Sequence, residues 1–331
     1  MSSKANYNKT LTKTQCDDLV NNIVDNSPVL KLVNKLYMNK STVELPVMLS
    51  DTILEASKGG LEDRPPVDLN NAVTLYSTKL KLPWTVTAEF MENEPSKGYA
   101  EKRIQTVMNV QAGNDLEDIF INGDEDSTDI LYRANDGVLK LSKNNHKVQV
   151  GIRGKAVTKM FEEVLRALPT KYRRNLRQLK FIVSPDMWMD YVMAIASRQG
   201  SMADQYLAGL VGSPTYGGVE VVASSFMPYG KFILTNPNNL IFGFENTIKK
   251  TRTHDKENDE YNYLLDIRVD FAIQNPEALI VGIVTSTRTA RLYNRINNSM
   301  FGRFILKPLG ALYKLVVRKP ARKLARLLNK L

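Results

Sequence analysis

Apolar residues recur along this chain with two different periods, and the change of period divides it. Leu19, Val20, Ile23 and Val24 make one face at helical spacing. Ser27-Pro28 interrupts that run and puts proline where a new helix can start. Val29, Leu30, Val33, Leu36 and Tyr37 then keep the helical spacing, so residues 1–40 read as an extended start followed by helical pieces. From residue 41 the period becomes two. Val43, Leu45, Val47 and Leu49 share one face, and Leu80, Leu82, Trp84 and Val86 do so again. Between them lies the polar stretch DTILEASKGGLEDRPPVDLNN, with Gly59-Gly60 and Pro65-Pro66. The pattern predicts a long hairpin over 42–87 with an irregular tip. An isolated hairpin is marginal in water, so this one requires a partner surface. Pro83 has no N–H to give, which places its strand at a sheet edge.

The helical period returns over 95–122, where Ile104, Val107, Met108, Ala112, Leu116, Ile119 and Phe120 recur at i, i+3, i+4. Glu101, Lys102, Arg103, Asp115, Glu117 and Asp118 are assigned to the opposite side. Such a helix reaches nearly ~40 Å at about 1.5 Å per residue. Gly113 inside it costs about 1 kcal/mol relative to alanine. Residues 123–154 are polar and irregular. An α/β pattern follows: Val157, Met160, Phe161, Val164, Leu165 and Leu168 on a helix stopped by Pro169, then a strand over 179–183. Ser184-Pro185-Asp186 opens a further helix with a cap, a proline and an acid in the first turn. Trp188, Tyr191, Val192 and Ile195 form its apolar face. The basic run 172–180 reads as a solvated face.

From 216 the period is two again. Gly217-Gly218 is a hairpin signal. Pro228-Tyr229-Gly230 and Asn236-Pro237-Asn238-Asn239 are turns around two short apolar strands, 231–234 and 240–244. In YNYLLDIRVDFAIQ, Leu265, Ile267, Val269, Phe271 and Ile273 share one face. Asp266, Arg268, Asp270 and Gln274 take the other. Asn275-Pro276-Glu277 breaks the chain, and ALIVGIVT reads as a buried strand.

The order of these segments resembles the major capsid proteins of tailed phages, whose Hong Kong phage-type fold is shared with encapsulins and herpesvirus capsid floors. The PYG turn, the segment TNPNNLIFGFE, the long alternating strand, the run NPEALIVG and the helix end DIFINGD carry the resemblance, which spans about 20–285. It implies an α+β fold with an N-arm (1–40), an E-loop hairpin (41–90) and a peripheral domain built on a spine helix (91–154), completed by strands within 240–278. An axial domain (155–285) and a tail (286–331) complete it. It also implies that N-arm and E-loop lie on neighbouring subunits, with Lys58, Glu62, Asp63 and Arg64 at the inter-subunit tip. The function implied is a shell subunit that assembles with itself into pentamers and hexamers around packaged double-stranded DNA. A separate scaffold protein, a portal and assembly in the host cytoplasm before residence in the virion go with it. An encapsulin-like cargo shell is a variant.

Composition adds one feature. Of 331 residues, 45 are Lys or Arg and 35 are Asp or Glu, a net charge of +10. Residues 286–331 hold 12 of those bases and no acid, so the rest of the chain is close to neutral. Within this tail, Leu324, Leu327, Leu328 and Leu331 form a helical stripe. Arg318, Lys319, Arg322, Lys323, Arg326 and Lys330 lie around it or just before it. A cationic amphipathic helix suits nucleic acid, a partner subunit or a membrane surface, so a nucleic-acid- or membrane-binding protein is the competing reading.

Catalytic signatures are missing. Cys16 is the lone cysteine, without an evident histidine partner. There is no P-loop, no dinucleotide fingerprint, no HExxH and no CxxC. Asp124, Glu125, Asp126 and Asp129 lack the ligand layout of a calcium loop and read as a solvated turn. The sequence therefore points to a non-enzyme without cofactor or metal. No apolar run approaches the ~20 residues of a membrane span, and the N-terminus has no apolar core of a signal peptide.

Overall fold

The alternating run at 260–273 becomes the central strand of a sheet in the computed structural model, which describes residues 7–46, 72–93, 97–142, 147–151, 157–197 and 213–285. In chain order the first elements are β1 (Tyr7–Thr10), α1 (Lys13–Val24), β2 (Asn34–Met38), β3 (Thr42–Pro46), β4 (Ala72–Tyr76) and β5 (Thr78–Thr87). Then come α2 (Ala88–Asn93), the long α3 (Lys97–Asn122), α4 (Val138–Leu141), β6 (Lys147–Gly151) and α5 (Val157–Ala167). β7 (Lys180–Val183), α6 (Pro185–Ala196), β8 (Thr215–Tyr216), β9 (Val219–Ala223) and β10 (Lys231–Thr235) follow. The described chain closes with β11 (Leu240–Glu245), β12 (Lys249–Asp255), β13 (Glu260–Ile273) and β14 (Leu279–Thr285).

Two six-stranded sheets result. The first runs β1-β12-β13-β11-β2, with β5 also paired to β13; only β2 and β11 are parallel. The second runs β6-β14-β10-β7-β9-β8, with parallel pairs at β6/β14 and β7/β9. Period-two burial divides the second sheet's side chains. Phe181, Val183, Phe232, Leu234 and Ile280 meet α5 and α6 through Phe161, Val164 and Tyr191. Ile182, Ile233 and Val281 point the other way, into a core shared with α1, α3 and the first sheet. That core includes Ile23, Leu116, Phe120, Phe242, Ile267 and Phe271. Each such side chain contributes about 1.5–3 kcal/mol by leaving water.

Local chemistry starts the elements. The Thr12 hydroxyl accepts from the Gln15 amide while the Gln15 side-chain oxygen accepts from the Thr12 amide, a capping box for α1. Ser184 caps α6 from its side chain, ahead of Pro185. Gly217 and Gly218 at φ +58° and +86° form the tight β8–β9 turn that other residues resist.

Four expectations are corrected. Residues 34–38 are a strand, not a helix: β2 finds a parallel partner more than 200 residues away in β11, a pairing that local periodicity does not report. The second strand of the hairpin is β4, which pairs Thr42–Pro46 in register with Tyr76–Ala72. The alternating segment expected to fill that place, β5, instead pairs with β13 from Thr78↔Val269 to Thr87↔Glu260. Pro83 sits in β5, which pairs with no second strand among the described residues. Glu117, assigned to the polar side of the long helix, is buried at 1% exposure. Gly113 is more than a soft spot, because a Cβ there would lie 2.6 Å from the Ile23 carbonyl oxygen; the glycine lets α1 cross α3.

Candidate assembly surfaces

The hairpin is held at its base by its own chain. Leu75 is fully buried among Met38, Ile241 and Ala272. The Ser77 amide donates to the Ser41 carbonyl at 2.9 Å, and the Ser77 hydroxyl to Glu245 at 3.2 Å. The tip residues Lys58, Glu62, Asp63 and Arg64 lie outside the described residues, as do the tail residues Arg318, Lys319, Arg322, Lys323, Arg326 and Lys330. The described part of the expected arm is built into its own chain: β1 and β2 are sheet members, and Cys16, Leu19, Ile23 and Val24 of α1 are core.

A buried polar joint lies between the layers, and sequence reading missed it. Glu117 on α3 takes the Ser27 hydroxyl and the Val29 amide on one oxygen, and the Ser224 hydroxyl at 2.5 Å on the other. Ser27 also accepts from the Leu30 amide at 3.0 Å, and the Ser224 amide donates to the Val183 carbonyl of β7. One carboxylate thus ties the turn after α1, the long helix and the end of β9 together. Buried acceptors need such donors, since an unmet one costs about 1–3 kcal/mol. The available signal was position: Glu117 stands next to Leu116 and one turn from Phe120 and Ile121.

The acidic turn does not present a vacant carboxylate cage. The Lys140 ammonium lies 2.6 Å from Asp124, 2.7 Å from Asp136 and 3.1 Å from Asp126. Burial pulls its pKa down, but the bonds to Asp124, Asp136 and Asp126 outweigh this and hold it above the ordinary lysine value. No grouping of three metal-ligating side chains occurs among the described residues. Cys16 is buried, and its Sγ lies 3.2 Å from the Asn246 carbonyl. Burial raises the thiol's pKa, the direction opposite to an activated nucleophile. No helix among the described residues is long and apolar enough to cross a membrane.

Large apolar side chains reach solvent at separate places: Tyr76 at the hairpin base (64%), Ile130 after the long helix (79%) and Tyr229 in the turn before β10 (78%). Met189 and Met193 lie one turn apart on the outer side of α6, both more than half exposed. Scattered in this way, they do not by themselves define an interaction patch.

The architecture is that of capsid-shell proteins. The subunit of the satellite phage P4 procapsid that includes the size determination (Sid) protein superposes with a TM-score of 0.64 at 14% identity, over 82% of this chain and 91% of that one. The capsid of the empty GTA particle gives 0.56 at 13%, over 79% and 91%. The holo-SrpI encapsulin complex from Synechococcus elongatus gives 0.51 at 13%, over 77% and 85%. In sequence, the prophage capsid protein YqbE of Bacillus subtilis (strain 168) is 23% identical over 285 residues, 81% of this chain and 90% of that protein. The profile of the Phage capsid family matches residues 9–284, and the chain belongs to that family. It is a capsid shell protein with the Hong Kong phage-type fold.

Proposed function

We propose that this chain is a major capsid protein that assembles with itself into pentamers and hexamers and so builds the icosahedral head shell around a phage genome. The observation that carries the reading is the family match over 9–284, which takes in both sheets, the long helix and the hairpin. Within that frame the first sheet with α3 is the peripheral domain, and the second sheet with α5 and α6 is the axial domain. The hairpin tip at 47–71, with Lys58, Glu62, Asp63 and Arg64, reaches a neighbouring subunit. The same family supports a role as a structural protein rather than an enzyme. The relative YqbE favours a phage shell over an encapsulin-like cargo shell.

The remaining partners follow from charge and geometry. The tail, with 12 basic residues and no acidic one, neutralises packaged double-stranded DNA or docks on a neighbour through its leucine stripe. A membrane is the competing target of that stripe. A separate scaffold protein and a portal complete the assembly in the host cytoplasm, and the finished shell resides in the virion.

One experiment tests these together. The full chain and a form ending at residue 285 are expressed with and without co-expressed scaffold candidates, then imaged by negative stain and assayed for nucleic acid and liposome co-sedimentation. Closed symmetric particles from the full chain are expected. Persistent monomers under all assembly conditions would overturn the capsid reading. Particles from the shortened form with less nucleic acid support neutralisation, loss of particles supports docking, and loss of liposome binding alone moves the tail to a membrane.

A further inference from the structure

Helices α1 and α3 touch where Gly113 passes Ile23. Upstream of that contact, a groove of about 520 Å³ lies between Gln15 and Asp18 of α1 and Gln105 and Met108 of α3. Its floor is the apolar face of the first sheet, through Leu82 and Trp84 of β5 and Leu265 of β13. Its cationic side is Lys9 of β1 and Lys250 of β12, which stand directly opposite each other in the β1–β12 pairing.

That pairing is unusual in its cost. Like charges at directly opposed positions of an antiparallel pair are destabilising. Arg252, two residues along β12, adds a third positive charge, although it is paired with Glu101 at 2.8 Å. Among the described residues, neither Lys9 nor Lys250 forms an ion pair. Among the described residues the partners of Lys250 are neutral: Gln105 Oε1 at 3.4 Å and the ring of Tyr263, its centroid 5.9 Å from the ammonium. Asp18 is the single carboxylate among the groove's lining residues. Burial is the main cause that pulls the Lys250 pKa below the ordinary lysine value; Glu101 opposes it, and Arg252 and Lys9 add to it.

We propose that this groove docks an acidic amphipathic segment of a separate protein, with an aliphatic side chain on Leu82, Trp84 and Leu265 and carboxylates against the Lys9–Lys250 pair. Two of the chain's own acidic stretches fit less well. Residues 51–71 carry Lys58 and Arg64 among their acids, and Lys256 sits within the acidic turn after β12. In that turn Asp255 is already engaged by the Glu257 amide and the Asn258 side chain. The inference concerns a partner of the subunit and does not depend on how the subunit assembles.

The test uses the full chain carrying Trp188→Phe, which leaves Trp84 as the only tryptophan and a reporter in the groove floor. The probes are a synthetic amphipathic peptide of leucine and glutamate, the same peptide with lysine for glutamate, a peptide of residues 51–71, and a double-stranded DNA oligonucleotide. The acidic peptide is expected to change Trp84 fluorescence saturably and to weaken with salt. Lys9→Glu with Lys250→Glu should bind it about tenfold or more weakly and gain binding of the lysine peptide. Asn109→Phe, which fills the groove and leaves the lysines in place, should lose both peptides. Equal binding of both peptides by the starting protein, or no binding of the acidic one, overturns the proposal. Tighter binding of the 51–71 peptide would assign the groove to a second copy, and tighter binding of DNA would assign it to nucleic acid; either overturns it. Particle formation by the double charge variant should match that of the starting protein, so a failure here is separate from a failure of the capsid reading.

Discussion

The Tyr76 amide donates to Asp270 Oδ2 over 2.6 Å, joining the last residue of the hairpin to the central strand of the first sheet. Asp270 also accepts from the Phe271 amide at 2.8 Å and from Asn135 at 3.0 Å. The same carboxylate therefore fixes the place where the hairpin leaves the sheet and the loop that follows the long helix. Burial holds its pKa above the ordinary aspartate value of 3.8, although the bonds from Tyr76, Phe271 and Asn135 pull the other way.

That shift has a definite sign in stability. The folded state binds the proton more tightly than the unfolded state, so this group's contribution is fully present below the ordinary aspartate value. It is lost as pH rises through the raised, folded value. The difference in unfolding free energy between the native chain and Asp270→Asn should move against the native chain as pH rises from about 3 towards about 7. Denaturant titrations of the two proteins across that range measure it. A constant difference, or one that moves in favour of the native chain, would contradict the assignment.

Glu117→Ala leaves the Ser27 and Ser224 hydroxyls and the Val29 amide without their shared acceptor. The expected loss is about 3 kcal/mol, read as a lower urea midpoint at unchanged slope. Ser27→Ala and Ser224→Ala should each cost less and should not add, because both act through one carboxylate. Strict additivity in that cycle would show that the joint does not work as a unit.

Alanine is a better helix former than glycine by about 1 kcal/mol, so Gly113→Ala would stabilise an isolated helix. Here the added methyl meets the Ile23 carbonyl oxygen, a backbone atom that yields only if α1 moves. Overpacking of this kind costs about 1–3 kcal/mol, and the net effect should be a loss. A thermal midpoint at or above that of the native chain would show that α1 shifts without penalty.

Deleting residues 51–71 should spare the fold and impair assembly. The base keeps its β3–β4 register, buried Leu75 and the Asp270 bond without them. Circular dichroism and thermal unfolding should match the full chain while particle yield falls. A deletion that unfolds would place the tip in the chain's own core, and one that assembles normally would make the tip dispensable.

What the sequence displayed follows from how local each signal is. β13 was legible because five apolar residues alternate over fourteen positions and are buried as that alternation implies. α5 and α6 were legible because each has one buried face and, for α6, a cap that local chemistry enforces. β2 and β5 were misread because an alternating or loosely spaced segment does not name its partner, and theirs lie in β11 and β13. Glu117 was misplaced because the long helix is covered on more than one side: the turn after α1 and the Ser224 loop bury a position that a two-faced helix leaves wet. The Lys9–Lys250 pair was out of reach for the same reason as β2, since its residues are brought together only by long-range register.

The same register sets the order in which the subunit can form. β1, β2 and β5 belong to a sheet whose middle strand is β13, so three early strands wait for residues 240–273 to be synthesised. At ribosomal rates of about 5–20 residues per second, that delay amounts to roughly ten seconds or more of a nascent chain carrying unpaired edges. A polypeptide interrupted before β13 has lost the template on which its beginning folds, and leaves β5 without the strand it pairs with.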